Sequence, residues 1–372
     1  MPTALLSFLL PCFWARAPDR TRAGGAVLLL YLMAAREQPL AILRVLPQYS
    51  PAEALGLWLA HGMLLALPWW LAWQPVRAAP VRRAGALLAA LLLGLLPPFG
   101  MLGWLHPLTL GGWLYPAWGL TGLAATTVLL LGLTLGATRW TLAFTAAALV
   151  ANALYRPVPQ PSDWVALDTQ LPRMTPDAAS RMARQLALIA QVEKQLAASP
   201  AVVLLPEEIA GPWTAAEAFW WQPTFEAARA HGTTLILGAQ RPDPQGWRNG
   251  ALIVAPWETR WQLARQPIPL AEWHPWADDA APTGWLSPAH SLATGMADVA
   301  GQRVLFSFCY EDLLTLPMLV SALQGPAPQR IVSLANQWWA RGMAEPVVQQ
   351  QTLAAWGRLW GIPVLRAVNR PD

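Results

Sequence analysis

The sequence is poor in the groups that carry most protein chemistry. Its 372 residues include one lysine, Lys194, two cysteines, five histidines and five tyrosines. Charged residues make up 12% of the chain, about half the share usual in a soluble domain. Cys12 and Cys309 lie too far apart in sequence to suggest a disulfide framework, and neither sits in a metal-binding spacing. The histidines form no ligand cluster either, so no metal or cofactor is expected.

What is abundant is apolar surface: 55% hydrophobic residues, among them 23 tryptophans. Residues 1–155 carry nine arginines and three acids, a net of +6, while the remainder carries 16 basic and 18 acidic residues, a net of −2. The positive charge thus belongs to the apolar half, which points to membrane topology rather than nucleic-acid binding. No charged residue occurs between Ala84 and Thr138. Crossing a bilayer takes about 20 apolar residues, and residues 55–75, 84–105 and 117–138 meet that length. Residues 140–155 make a shorter fourth stretch, and residues 3–15 and 23–35 read as further membrane-embedded segments. An α-helical transmembrane domain is therefore expected over residues 1–155. Arg77, Arg82 and Arg83 place loop 75–84 in the cytoplasm. Counting spans forward, the chain emerges outside after Tyr155, which predicts a multi-pass inner-membrane protein of a bacterium with a periplasmic second half. The spans lack the acids and bases that mark a transport path.

Residues 156–372 read as an α/β domain. Thr175 and Pro176 predict a helix start, and Met182, Leu186, Ile189, Val192 and Leu196 form one apolar stripe. Strands are predicted at 201–205, 233–239, 251–255, 303–308, 330–336 and 362–369, with helices at 213–230 and 344–360 covering the sheet.

Reactive side chains cluster just past strand ends, where loops gather functional groups. Glu207 and Glu208 follow the first strand, Cys309 and Glu311 follow "RVLFSF", and Glu272 lies in "RQPIPLAEWHPW". A thiol becomes a nucleophile when a neighbouring base takes its proton; a carboxylate can be that base. The stretch "GPWTAAEAFWWQP" sets Trp213, Phe219, Trp220 and Trp221 close to Glu207 in sequence, either as a lid that dips into lipid or as plain core packing.

The order of these motifs, followed by "ANQWWARG" and "WGRLWGIPVLRAVN", resembles the nitrilase, or carbon–nitrogen hydrolase, superfamily. Within it the chain looks like the membrane-bound branch of apolipoprotein N-acyltransferase, and most like the related TraB-type conjugal transfer proteins. The resemblance implies an αββα sandwich outside the membrane. It implies Glu207 as general base, Cys309 as nucleophile and thioester carrier, Glu272 as the supporting acid, and the Tyr310 backbone N–H as an oxyanion donor backed by Glu311. It also implies a phospholipid acyl donor, with a lipoprotein or a conjugation-apparatus protein as partner. One departure stands out: the position of the family's catalytic lysine holds Ala264, and Arg265 beside it is the nearest cation. Alternation along a strand would turn Arg265 to the opposite face. Two readings result: a membrane-bound acyltransferase or amidase, or an inactive scaffold of a conjugation system that keeps the fold.

Overall fold

The computed structural model describes residues 3–175, 177–243, 246–273 and 292–371. The chain divides into two compact units. The first comprises Met1–Val158, Leu313–Leu319 and Met343–Ile362; the second comprises Pro159–Asp312, Val320–Gly342 and Pro363–Asp372.

The first unit is helical. It runs through α1 (Leu9–Arg16), α2 (Arg20–Ala34), α3 (Gln38–Val45), α4 (Pro51–Ala72), α5 (Pro80–Leu95), α6 (Phe99–Leu102), α7 (Gly111–Leu114), α8 (Gly119–Leu135) and α9 (Thr138–Leu154). The polar break between the first two apolar stretches is a helix start: the Asp19 side chain accepts the Arg22 N–H at 2.8 Å. At α4, Ser50 and Glu53 form a reciprocal capping box, which satisfies two otherwise orphaned N–H groups. The apolar run 84–105 does not give one continuous helix, because Pro97 and Pro98 follow directly on α5 and offer no N–H to continue its ladder. Run 117–138 also loses its start, where Ala117 and Gly119 take positive φ and α7 and α8 meet at 116°. Among the described residues, α4 alone is a single helix long and apolar enough to cross a bilayer; the bent pairs α2–α3 and α7–α8 qualify only if each counts as one span.

The second unit holds two sheets. In the first, β1 (Trp164–Ala166), β2 (Val202–Leu204) and β3 (Thr234–Asp243) run parallel, and β4 (Gly246–Val254) and β5 (Thr259–Leu263) follow antiparallel. In the second, β6 (Met296–Val299) pairs antiparallel with β7 (Gln302–Phe308), and β8 (Arg330–Asn336) and β9 (Val364–Asn369) continue in parallel. Their alternating inward residues make one core, Val202, Leu204, Ile236 and Ile253 meeting Val304, Phe306, Val332 and Leu334. The opposite face of the first sheet is covered by α10 (Ala178–Leu196) and α11 (Ala215–Ala230), through Leu188, Val192, Trp221 and Phe225. The stripe expected on α10 is thus the buried face at Ile189, Val192 and Leu196, while Met182 and Leu186 are exposed. Its N-cap is Asp177 rather than Thr175, with the Asp177 carboxylate accepting the Ala179 and Ser180 N–H groups.

The last two helices depart from the expected layering. The first residues of α12 (Thr315–Leu323) and all of α13 (Glu345–Trp360) group with the helical unit, so residues 344–360 do not act as the covering helix that their position between strands suggests. Gly112 explains how α13 sits so close: a Cβ there would fall 1.7 Å from the Ala355 carbonyl oxygen. Arg358 then bonds the Gly112 carbonyl at 3.1 Å and Asn152 Oδ1 at 2.7 Å.

Candidate active site

Cys309 follows β7 and Glu207 follows β2, at the ends of strands of the two facing sheets. Cys309 is buried and opens a short 3-10 turn at φ 27°, while Glu208 stands at φ 47° and Leu270 at φ 69°. Non-glycine residues held at positive φ cost of order 1–3 kcal/mol each and gather where geometry serves a function. Gly238 in β3 makes the approach possible, since a Cβ there would lie 2.0 Å from the Pro206 carbonyl oxygen.

The Cys309 thiol donates to the Asn336 carbonyl at 3.8 Å and interacts with the Glu207 carboxyl, favouring its charged form. Asn249 Nδ2 donates to Glu207 at 2.7 Å. Gln240 Nε2 holds Glu208 at 2.9 Å, and the Ile268 N–H holds Glu272 at 2.8 Å. Burial is the main force on all three carboxyls. It pushes Glu207 well above the usual carboxylate range, with the charges of Glu272 and Glu208 adding to the effect. Burial also raises Glu208, and together with the Glu208 charge it lifts Glu272 to about 8. Burial and the charge of Glu272 raise the Tyr310 hydroxyl as well. Three carboxyls this close cannot all ionise. At neutral pH the cluster holds protons, and the Asn249 and Cys309 contacts are what favour the charged form of Glu207 against burial.

Arg265 is committed to a buried ion pair with Glu311. It is buried and turned to Glu311, whose Oε2 accepts from Nη2 at 2.7 Å and from Nε at 3.2 Å, and it also bonds Ser321 and the Phe306 carbonyl. Glu311 accepts the Gln266 N–H at 2.9 Å as well. The pair ties the segment after β5 to the turn after Cys309. Ala264 packs in the core between the sheets and donates its N–H to the Asn249 carbonyl at 2.9 Å. The lysine position is thus one residue removed from the Asn249 that grips Glu207.

The aromatic stretch resolves largely as packing. Trp221 is fully buried and donates Nε1–H to Gln185 at 2.8 Å. Trp213 stacks on Phe225 with ring centroids 5.9 Å apart, and Trp220 packs on the same core. Only Phe219 of the four is exposed, at 77%. Lys194 stands exposed on α10, away from the sheet core. Among the described residues, no group of His, Cys, Asp and Glu is arranged to hold a metal ion. Asn249 and Asn336 escaped the sequence reading; the polar "RN" before the apolar run of β4 was the available signal for the first. Asp312 escaped too: it binds Ser307 and Ser333 at 2.6 and 2.9 Å, with Arg366 at 3.4 Å.

No protein-family model matches the chain. The conjugal transfer protein TraB of Agrobacterium fabrum is 34% identical across 99% of this chain and 87% of its own length. The chain belongs to the TraB family of conjugal transfer proteins. A probable TraB of Sinorhizobium fredii is 31% identical over 99% of the chain and 92% of that protein. Among solved structures, an amidase from Nesterenkonia sp. overlays 54% of the chain and 74% of its own at 13% identity and a TM-score of 0.39. A variant of it, described as belonging to the nitrilase superfamily, overlays with the same TM-score. TraB-family membership thus rests on sequence that runs through both units.

Proposed function

We propose that this TraB-family chain is a membrane-bound acyltransferase or amidase that works through a Cys309 thioester, its second unit facing the periplasm. The observation that carries this reading is the contact of Cys309 with Glu207, in a buried cluster of proton-holding carboxyls at strained strand ends. In this reading the Glu207 carboxylate takes the thiol proton and Sγ attacks the carbonyl of a phospholipid ester. The tetrahedral oxyanion collapses, the C–O bond breaks, and Glu207 returns the proton to the leaving alkoxide. An amine, carried by a lipoprotein or a component of the conjugation apparatus, then attacks the thioester and releases the amide and the free thiol. Asn249 Oδ1 is buried without a hydrogen-bond partner, an acceptor suited to the N–H of that amine. With alanine at position 264, the protonated Glu272 is the donor we assign to the oxyanion beside the Tyr310 N–H; a neutral acid in an apolar site can serve in this way.

Membrane insertion is supported by the net +6 of residues 1–155 and by apolar side chains left exposed on the helical unit, among them Leu29, Met63, Leu92 and Leu149 at 58 to 69%. The arginine asymmetry orients it. A protease confined to the periplasm should cut within residues 156–372 and spare 76–83; the reverse pattern refutes the orientation.

The inactive scaffold remains a reading with an observation behind it, since Arg265 is committed to Glu311. Labelling decides. A radiolabelled acyl-phospholipid should acylate Cys309 in native membranes and leave Cys309→Ser unlabelled. A thiol that stays unacylated there but reacts with a thiol reagent after denaturation refutes the enzyme.

A further inference from the structure

The helical unit holds a cavity of about 340 Å³, close to the lower bound for ligand pockets. Leu10, Leu30, Met33 and Val348 give it apolar walls, and Arg36, Glu37 and Glu345 also line it. None of these belongs to the Cys309 site. Glu37 is held in place by the Ala344 N–H at 2.5 Å and by Arg36 at 3.4 Å. Glu345 is 8% exposed and hydrogen-bonds to Glu37, yet its Oε2 is buried with no partner at all. Buried polar atoms in native proteins nearly always have a partner.

We propose that this cavity binds a primary ammonium group carried on an apolar chain, the ammonium donating to Glu345 Oε2 and to Glu37. The charge balance favours a cation. Two carboxyls and an exposed arginine line the cavity, and Tyr31 is the remaining titratable group in its walls. The side chain of Arg36 is 64% exposed, so beside its pairing with Glu37 it presents further N–H groups to an anionic group next to the ammonium. Burial and the bond to Glu37 raise Glu345 to about 7, so in the empty cavity it holds a proton at neutral pH or below. Ammonium binding expels that proton. Affinity should therefore rise about tenfold per pH unit below roughly pH 7 and level off above it. Two sources present this chemistry, an aminophospholipid headgroup and a free alkylamine.

The test is native mass spectrometry of the full chain in a neutral polyoxyethylene detergent, with dodecylamine, dodecanol and phosphatidylethanolamine as probes. Dodecylamine should bind one per chain, and Glu345→Gln should weaken it at least tenfold. Phosphatidylethanolamine binding alongside dodecylamine assigns the site to a membrane lipid; dodecylamine binding alone assigns it to a soluble amine. Equal retention of dodecanol, or wild-type affinity that does not change between about pH 5.5 and 7.5, overturns the proposal. The pH series needs only wild-type protein, so it decides even where the variant does not fold. Because Cys309 plays no part, failure here leaves the acyl-transfer reading standing, and failure of that reading leaves this one.

Discussion

Replacing Glu272 with Gln should stabilise the protein, and increasingly so as pH rises. The Ile268 N–H donates to Glu272 at 2.8 Å; Gln keeps an acceptor there and removes the ionisable group. Folding moves this carboxyl from its ordinary 4.5 to about 8. Below 4.5 both folded and unfolded chains hold the proton, and the residue costs nothing. Between 4.5 and about 8 the unfolded chain releases the proton while the folded chain keeps it, so stability is lost progressively across that window. Above it the loss is complete. At about 1.4 kcal/mol per pKa unit the ceiling is roughly 5 kcal/mol. Glu207 and Glu208 can take up or release protons in its place, and partial solvent access screens the charge, so about 1–2 kcal/mol should survive. For a folding unit of this size that is a Tm difference of about 2–8 °C at pH 8.5, shrinking to about 1 °C near pH 5. Thermal unfolding of the purified chain in detergent, followed by tryptophan fluorescence, measures it. A gap of equal size at both pH values, or one that narrows on going alkaline, would show that the carboxyls are not short of counter-charge.

Three further outcomes follow from the contacts described. Glu207→Gln should slow alkylation of Cys309 by iodoacetamide by roughly 10²–10³, the scale of losing a general base; Cys12→Ser removes the other thiol from the measurement. Arg265→Met should cost about 3–5 kcal/mol by leaving Glu311 charged and buried, read as a drop in denaturant midpoint, with the alkylation rate of folded protein changed less than threefold. Gly112→Ala should force α13 off its seat and cost about 1–3 kcal/mol or more; faster proteolysis within residues 343–362 is the readout.

Residues with a strong local signal were legible in the sequence. Continuous apolar runs such as "VVLL" and "TLILG" located central strands, because burial on both faces leaves no room for polar residues. β1, β5 and β6 were not read: each is short, and "TRWQL" and "MADV" mix polar and apolar residues as edge strands do. Cys309 and Glu207 could be paired because both stand just past strand ends. The opposite facing of Arg265 followed from alternation, whereas its grip on Glu311 did not, since that contact joins positions 46 apart. Residues 84–105 misled for a different reason. Composition reports apolarity, but Pro97 and Pro98 decide helix continuity.

The seat of α13 bears on how the chain matures. The helical unit closes around residues 343–362, which lie between two strands of the other unit. The ribosome must pass residue 342 before that segment exists, so Gly112 waits for its Ala355 partner until then. The final strand, β9, is made after it. Neither unit is therefore complete until residues 343–369 have been made. Cutting the gene at their apparent border near residue 158 would leave the first fragment without residues 313–319 and 343–362, while the second would carry those helical segments with no helical unit to join.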